Sequence, residues 1–292
     1  MLFIAGSTGF IGKNLLEALR EKGLKARCLV RSGEKARAVE EMGFEAALGD
    51  ITDAESLKGA LDGVKTAVHL VGIIAERGGQ TFEKVHVEGT RNLVAEAKSA
   101  GVGRFFYQSA LGADLGSWAK YHRTKAEAEE IVKASGIPWT IFRPSLVVGE
   151  GDGFTTRIQE MIRLAPVIPV PGDGKARFQP IYVGDWVKCF LKAMDDPGAE
   201  GRTYELGGPE HITYNEIVKA VSAAMGRSKA LFHFPAGLAL VGLKFLEKTP
   251  FSPATVEQLK LLDTDNICQP DAVRKDFGFE PMAFRDALKL FI

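Results

Sequence analysis

Tyr121 and Lys125 stand four residues apart, a spacing that puts a phenol and an ammonium on one face of a helix. A phenol near pKa 10 is a poor proton carrier at neutral pH, and a neighbouring ammonium is expected to lower it by stabilising the phenolate. So placed, Tyr121 exchanges a proton with a carbonyl or hydroxyl oxygen, and Lys125 supports it. Either Ser109 or Ser117 supplies a hydroxyl to orient that oxygen. Chemistry of this kind needs a hydride carrier, and the amino-terminal run offers it a seat. A short apolar strand ending at Ala5 passes into Gly6-Ser7-Thr8-Gly9-Phe10-Ile11-Gly12. Gly6 permits a tight turn, Gly9 a close approach of backbone to pyrophosphate, and Gly12 the packing of helix on strand. The free N–H groups of the next helix then face the phosphates, which makes this a dinucleotide site.

Further cofactor residues follow by position. The second strand ends in Val30-Arg31-Ser32. An acidic side chain there would hold the ribose 2′-hydroxyl of NAD, whereas a guanidinium suits the 2′-phosphate of NADP. NADP(H) is therefore expected over NAD; the alternative for Arg31 is a solvated loop residue. Glu34, three residues on, either binds a ribose or, as its place better suits, starts the next helix. Asp50, followed by Ile51, either accepts the adenine amino group or begins a helix, and Asp53 reads as a cap. Leu70 ends the fourth strand, Val71-Gly72 after it leaves room for the cofactor backbone, and His69 within it reads as a core residue. Pro144 and Ser145 read as the terminator of the sixth strand and its neighbour.

The elements that must carry these residues alternate between strand and helix. After the glycine turn, Ile11, Leu15, Leu16 and Leu19 mark one helical face, stopped by Gly23. Strands are expected at 25–30, 45–48, 66–70, 104–108 and 139–143, with long helices over 82–100 and 119–135 between them. Six strands in this rhythm predict an α/β fold with a doubly wound parallel (Rossmann) sheet over residues 1–148. Residues 178–198 are expected to return to it. A smaller, mostly helical lobe for substrate is expected from 149–177 and 199–292, with helices at 215–225, 253–262 and 284–291.

With 37 acidic and 37 basic residues the chain has no net charge, which argues against a nucleic-acid partner. Cys28, Cys189 and Cys268 are isolated and lack metal-ligand spacing, so no metal is expected and the thiols read as buried in a reducing compartment. No signal peptide is visible, and the apolar stretch 230–246 is too short and interrupted to span a bilayer, so a cytoplasmic protein is expected. Within it, Leu238, Val241, Leu243 and Phe245 at helical spacing pack inside a lobe or against a membrane surface or redox partner. The helices at 82–100 and 119–135 offer faces for a homodimer.

Taken together, GSTGFIG at 6–12, GDITD at 49–53, VHVEGTRNL at 85–93, FFYQSALGA at 105–113, YHRTK at 121–125, WTIFRPSLVVG at 139–149 and RFQPIYVGDW at 177–186 resemble the short-chain dehydrogenase/reductase superfamily in its extended and atypical branches. The likeness covers roughly the first 210 residues and is nearest to bacterial relatives of the NADPH-binding accessory subunit of respiratory complex I. It implies a tightly held NADP(H), with the glycines and Arg31 on the cofactor, Tyr121 moving a proton, Lys125 on the nicotinamide ribose, and Pro144 and Ser145 close to the nicotinamide, as an alternative to merely ending the sixth strand. His86 stands where nucleotide-sugar epimerases carry Asn, and Phe178-Gln179-Pro180 replaces the Arg-Asp-Phe of their UDP-sugar clamp. Ser109 falls one residue before the usual catalytic serine. Three functions follow: an oxidoreductase for a small-molecule carbonyl or alcohol, a nucleotide-sugar epimerase or dehydratase with Lys175 and Arg177 as its only local diphosphate clamp, and a non-catalytic, NADP(H)-loaded subunit or sensor of a redox complex.

Overall fold

A computed structural model describes residues 1–235, 237 and 255–292. Leu238, Val241, Leu243 and Phe245 lie outside the described residues, as does the expected helix start at Pro253. The alternation begins with β1 (Leu2–Ala5), buried throughout, and α1 (Phe10–Glu21), which buries Leu15, Leu16 and Leu19 as their spacing requires. It continues through β2 (Ala26–Val30), α2 (Gly33–Glu41), β3 (Glu45–Leu48) and β4 (Thr66–His69). Then come α3 (Gly89–Ser99), β5 (Arg104–Gln108), α4 (Lys120–Lys133) and β6 (Trp139–Pro144).

These six strands pair in parallel in the order β6-β5-β4-β1-β2-β3. The doubly wound sheet is therefore present. The chain winds outward from β1 in one direction to β2 and β3 and in the other to β4, β5 and β6. That reversal opens a crevice beyond the carboxyl ends of β1 and β4. Alternation along β5 feeds both faces. Phe105 and Tyr107 join a core with Leu93, Ala97, Ala128 and Val132 of α3 and α4. Phe106 turns the other way, its ring 4.8 Å from that of Phe190. Each buried aromatic of this kind is worth about 1.5–3 kcal/mol.

Two elements differ from the sequence expectation. A seventh strand, Arg202–Leu206, flanks β6 where short helices were expected from Thr203 onward. Its period-two pattern explains it: Tyr204 and Leu206 are buried with Glu205 exposed between them, and the Tyr204 ring meets Phe142 at 6.0 Å. The expected helix over 82–100 is regular only from Gly89. Residues Glu83–Glu88 form a π-helical turn, a wider winding that buries Val85, His86 and Val87 consecutively. Gly89 follows because a Cβ there would stand 2.6 Å from Ile51 Cδ1.

The chain divides into two compact units, Met1–Pro144 with Val187–Tyr204, and Ser145–Trp186 with Glu205–Ile292. In the second unit, α5 (Gly153–Leu164) is capped by Asp152, whose Oδ1 accepts from the Phe154 and Thr155 amides. The helix α6 (Val183–Asp195) carries the chain from the second unit to the first. A reciprocal capping box of Thr213 and Glu216 starts α7 (Tyr214–Ala224). Ile158 and Ile162 of α5, Ile217 and Val221 of α7, and Phe284 form that unit's own core. Among the described residues no helix is long and apolar enough to cross a membrane.

Candidate functional site

The glycine turn is built as its spacing implies. Gly6 has φ +94°, a left-handed backbone that strains a side chain, and a Cβ there would press on the Leu70 carbonyl carbon and Val71 nitrogen at 3.0 Å. A Cβ on Gly12 would overlap the Gly6 carbonyl oxygen and the backbone of Ser7, so α1 leaves β1 as closely as backbone permits. Gly9 is the N-cap of α1. No side chain caps the helix and no acidic residue lies in its first turn, which leaves its amides to an outside acceptor. Ser7 is fully buried, its hydroxyl without a hydrogen-bond partner among the described residues, and burial raises the Cys28 thiol to about 11.

At the end of β2 the Arg31 guanidinium is 62% exposed and lies 3.8 Å from the Asp50 carboxylate. Asp50 Oδ1 accepts from the amide and hydroxyl of Thr52, so this carboxylate shapes its own loop while its other oxygen faces Arg31. Ile51 is buried, and its carbonyl accepts from Asn92. Ser32 is the N-cap of α2, accepting from the Lys35 amide, and Glu34 sits in that helix's first turn. Asp53 accepts from the Glu55 amide.

Beyond β4 and β5 the second group of residues converges. Lys125 Nζ donates to the Gln108 carbonyl at 2.9 Å and lies 5.1 Å from the centre of the Tyr107 ring. Gly72 explains how β4 reaches it, since a Cβ there would stand 3.1 Å from Lys125 Nζ. The Tyr121 ring packs edge-on against His86 at 5.6 Å and Phe82 at 5.8 Å. Ser109 is buried, and its hydroxyl has no hydrogen-bond partner among the described residues. Ser117, its rival, instead accepts from the Ala119 amide at the start of α4. Pro144 closes β6, where its carbonyl accepts from the Leu111 amide.

The electrostatics correct one expectation. Lys125 does not lower the Tyr121 phenol; burial raises it to about 12. Desolvation instead lowers Lys125 to about 7, against an opposing pull from Glu129. His69, a core residue as expected, contacts the Thr90 hydroxyl at 3.0 Å, and burial with the nearby Lys125 charge lowers it to about 3. The same two causes take His86 to about 2. Tyr121 is thus a neutral acid, and both imidazoles are neutral.

The sequence motifs did not single out Thr124, Glu129 or Arg143 as site residues. Thr124 takes the His86 contact, and Glu129 pairs with Arg143 beneath Lys125. Glu129 was legible in retrospect, because it continues the four-residue step of Tyr121 and Lys125.

A family model described as NAD(P)H-binding matches residues 6–161, more than half of the chain. This chain belongs to that NAD(P)H-binding family. It is 28% identical over 290 residues to the Arabidopsis thaliana protein named NADH dehydrogenase [ubiquinone] 1 alpha subcomplex subunit 9, mitochondrial, covering 93% of this chain and 71% of that one. To the ceramide reductase of Caulobacter vibrioides it is 28% identical over 268 residues, covering 90% and 84%. A Staphylococcus aureus nucleoside-diphosphate-sugar epimerase superposes with a TM-score of 0.79 over 99% of both chains at 18% identity, a likeness of fold.

The glycine turn fits the dinucleotide of this NAD(P)H-binding family on its own geometry: a helix start without a side-chain cap, Gly9 with little beyond the Gly6 oxygen near its Cβ position, and no carboxylate in the first turn. In the second unit, the expected diphosphate clamp is otherwise engaged. Arg177 donates from Nε and a terminal nitrogen to Asp265, and Lys175 lies 3.7 Å from Asp173. Gln179 of the Phe178-Gln179-Pro180 segment is buried, donating to the Gly208 carbonyl and accepting from the Cys268 amide. Ser145 donates to Asn266.

Proposed function

We propose that the protein is an NADP(H)-dependent oxidoreductase that interconverts an apolar carbonyl and its alcohol, with Tyr121 as the proton donor. The observation that carries this reading is the neutral, half-buried phenol on the same helical face as Lys125, with the unpartnered hydroxyl of Ser109 at the end of the neighbouring β5. A dinucleotide held by these residues would supply the hydride for the carbonyl carbon. Tyr121 gives its proton to the carbonyl oxygen, Ser109 donates a hydrogen bond to that oxygen, and Lys125 steadies the ribose and the developing phenolate. Gly6, Ser7, Thr8, Gly9, Phe10, Ile11 and Gly12 hold the pyrophosphate. Arg31 and Ser32 take the 2′-phosphate, Asp50 and Ile51 flank the adenine, and Leu70, Val71, Gly72 and Pro144 border the nicotinamide half.

Support for an apolar substrate comes from the loops after β4 and β5, where Ile74, Leu115 and Trp118 are each more than half exposed. The named activity of the Caulobacter relative on a lipid points the same way. A sugar-nucleotide substrate is disfavoured by the engagement of Arg177 with Asp265.

The test is Tyr121→Phe. It should abolish carbonyl reduction by NADPH while leaving NADPH affinity within about twofold, because the ring and its packing remain. Unchanged turnover removes Tyr121 from the reaction. A second reading, a cofactor-loaded subunit of a redox complex, is favoured by the likeness to the Arabidopsis protein across 93% of this chain. Useful carbonyl turnover by the isolated protein would count against its purely structural version.

A further inference from the structure

The face of α4 that carries Tyr121 and Lys125 continues at the same four-residue step to Glu129 and Lys133. Glu129 is 1% exposed, yet it is ionically paired rather than isolated. Its Oε1 accepts from Arg143 Nε at 2.8 Å, and its Oε2 accepts from Arg143 at 2.7 Å and Lys133 Nζ at 3.4 Å. A two-pronged guanidinium fixes the plane of a carboxylate as well as its place. Burying such a pair is a weak route to stability, so its presence one turn from a cofactor-site lysine asks for another explanation.

The surroundings of Lys125 supply one. Tyr107 and the Gln108 carbonyl face its ammonium from β5, and the neutral imidazoles of His69 and His86 face it from β4 and the π turn. Neither imidazole carries charge, and both phenols, Tyr107 and Tyr121, are pushed up and stay neutral. Glu129 is the carboxylate that acts on the ammonium, with Arg143 and Lys133 beyond it.

We propose that Glu129, aligned by Arg143 one helical turn from Lys125, is a positioning residue that favours the protonated form of Lys125 inside the site. Without it, desolvation acts unopposed and the charged fraction of the lysine at physiological pH falls further, so less of it can steady a phenolate. That consequence for turnover rests on the function proposed above; the protonation itself does not.

The test reads the lysine directly. Protein labelled with 13C at lysine Cε is titrated by NMR, and the Lys125 signal is assigned by its loss in Lys125→Met. In Glu129→Gln the Lys125 midpoint should fall by about one pH unit or more, a tenfold or greater loss in its protonation constant. Glu129→Asp should recover most of it. If the single variant fails to fold because Arg143 is left unpaired, Glu129→Gln with Arg143→Gln removes both charges and should show a fall of the same sign but smaller, since the guanidinium's repulsion is removed too. A midpoint that stays within about 0.2 units of wild type in a folded Gln variant overturns the proposal. Absence of turnover with every carbonyl would count against the oxidoreductase reading alone, since the titration would still show the shift.

Discussion

His86 Nδ1 lies 3.0 Å from the Thr124 hydroxyl, and this contact ties the π turn before α3 to the helix of Tyr121 and Lys125. Thr124 Oγ1 has the Lys120 and Tyr121 carbonyls at 2.9 and 3.1 Å for its own proton. The imidazole therefore donates from Nδ1, and its Nε2 accepts from the Ile73 amide at 3.1 Å. One neutral side chain thus joins the loop after β4 to the helix α4 that carries Tyr121 and Lys125. His86→Ala should cost about 2–4 kcal/mol through lost packing on Phe82 and Tyr121 and unmade hydrogen bonds. His86→Asn, which keeps a donor and an acceptor, should cost less. A loss under about 0.5 kcal/mol for the alanine variant in urea unfolding would show that the bridge is not needed.

Acid should weaken the fold through the same residues. Unfolded histidines titrate near 6.5, whereas the folded chain holds His69 at about 3 and His86 at about 2. Between these values the unfolded chain binds more protons, so the stability due to neutral burial is fully present above about pH 6.5 and declines as pH falls. By pH 5 the loss is about 2 kcal/mol per histidine. Unfolding free energies measured between pH 4 and 6 should lose about 1.4 kcal/mol per pH unit of slope in His86→Asn relative to wild type. Parallel lines for the two proteins would contradict this account.

The glycines separate packing from binding. Gly12→Ala forces a methyl into the Gly6 carbonyl and should cost about 1–3 kcal/mol as well as cofactor binding. At Gly9 the nearest atom to an added Cβ is the Gly6 oxygen at 3.3 Å, so Gly9→Ala should melt close to wild type yet lose NADPH affinity by tenfold or more, on the order of 1.4 kcal/mol. Calorimetric binding alongside thermal melting decides it. Wild-type NADPH affinity in Gly9→Ala would move the pyrophosphate away from this turn.

Cofactor choice should rest on Arg31. Replacing it with Ala removes a charge-assisted pair to the 2′-phosphate and should weaken NADPH by about 1.5–3 kcal/mol while leaving NADH nearly unchanged. Asp50→Asn should favour NADPH slightly by releasing Arg31 from its 3.8 Å neighbour. Equal losses for both dinucleotides in Arg31→Ala would mean that the guanidinium does not discriminate.

How much was legible follows from how local each signal is. The glycine turn, the Tyr121–Lys125 face and the order of β1 to β6 all depend on short-range spacing, and the folded chain keeps them. The π turn at Glu83–Glu88 escaped because its cause is distant: His86 is held by Thr124 and Ile73, and Gly89 by Ile51. The strand Arg202–Leu206 escaped for the opposite reason. Its alternation is plain in the residues, but five residues among loops carry too little pattern to outweigh their surroundings. The raised Tyr121 phenol escaped because spacing brings a charge near without revealing how much water the pair loses.

The crossings at Pro144, Trp186 and Tyr204 set an order of assembly during synthesis. A ribosome that has released residues 1–144 has supplied six strands of the sheet but neither the helical turns of Val187–Asp195 nor the edge strand that follows. Phe106 and Phe142 then wait, uncovered, for Phe190 and Tyr204 while some forty residues of the other unit emerge first. At about 5–20 residues per second that interval lasts seconds, during which the nascent first unit presents an aromatic face to the cell's chaperones.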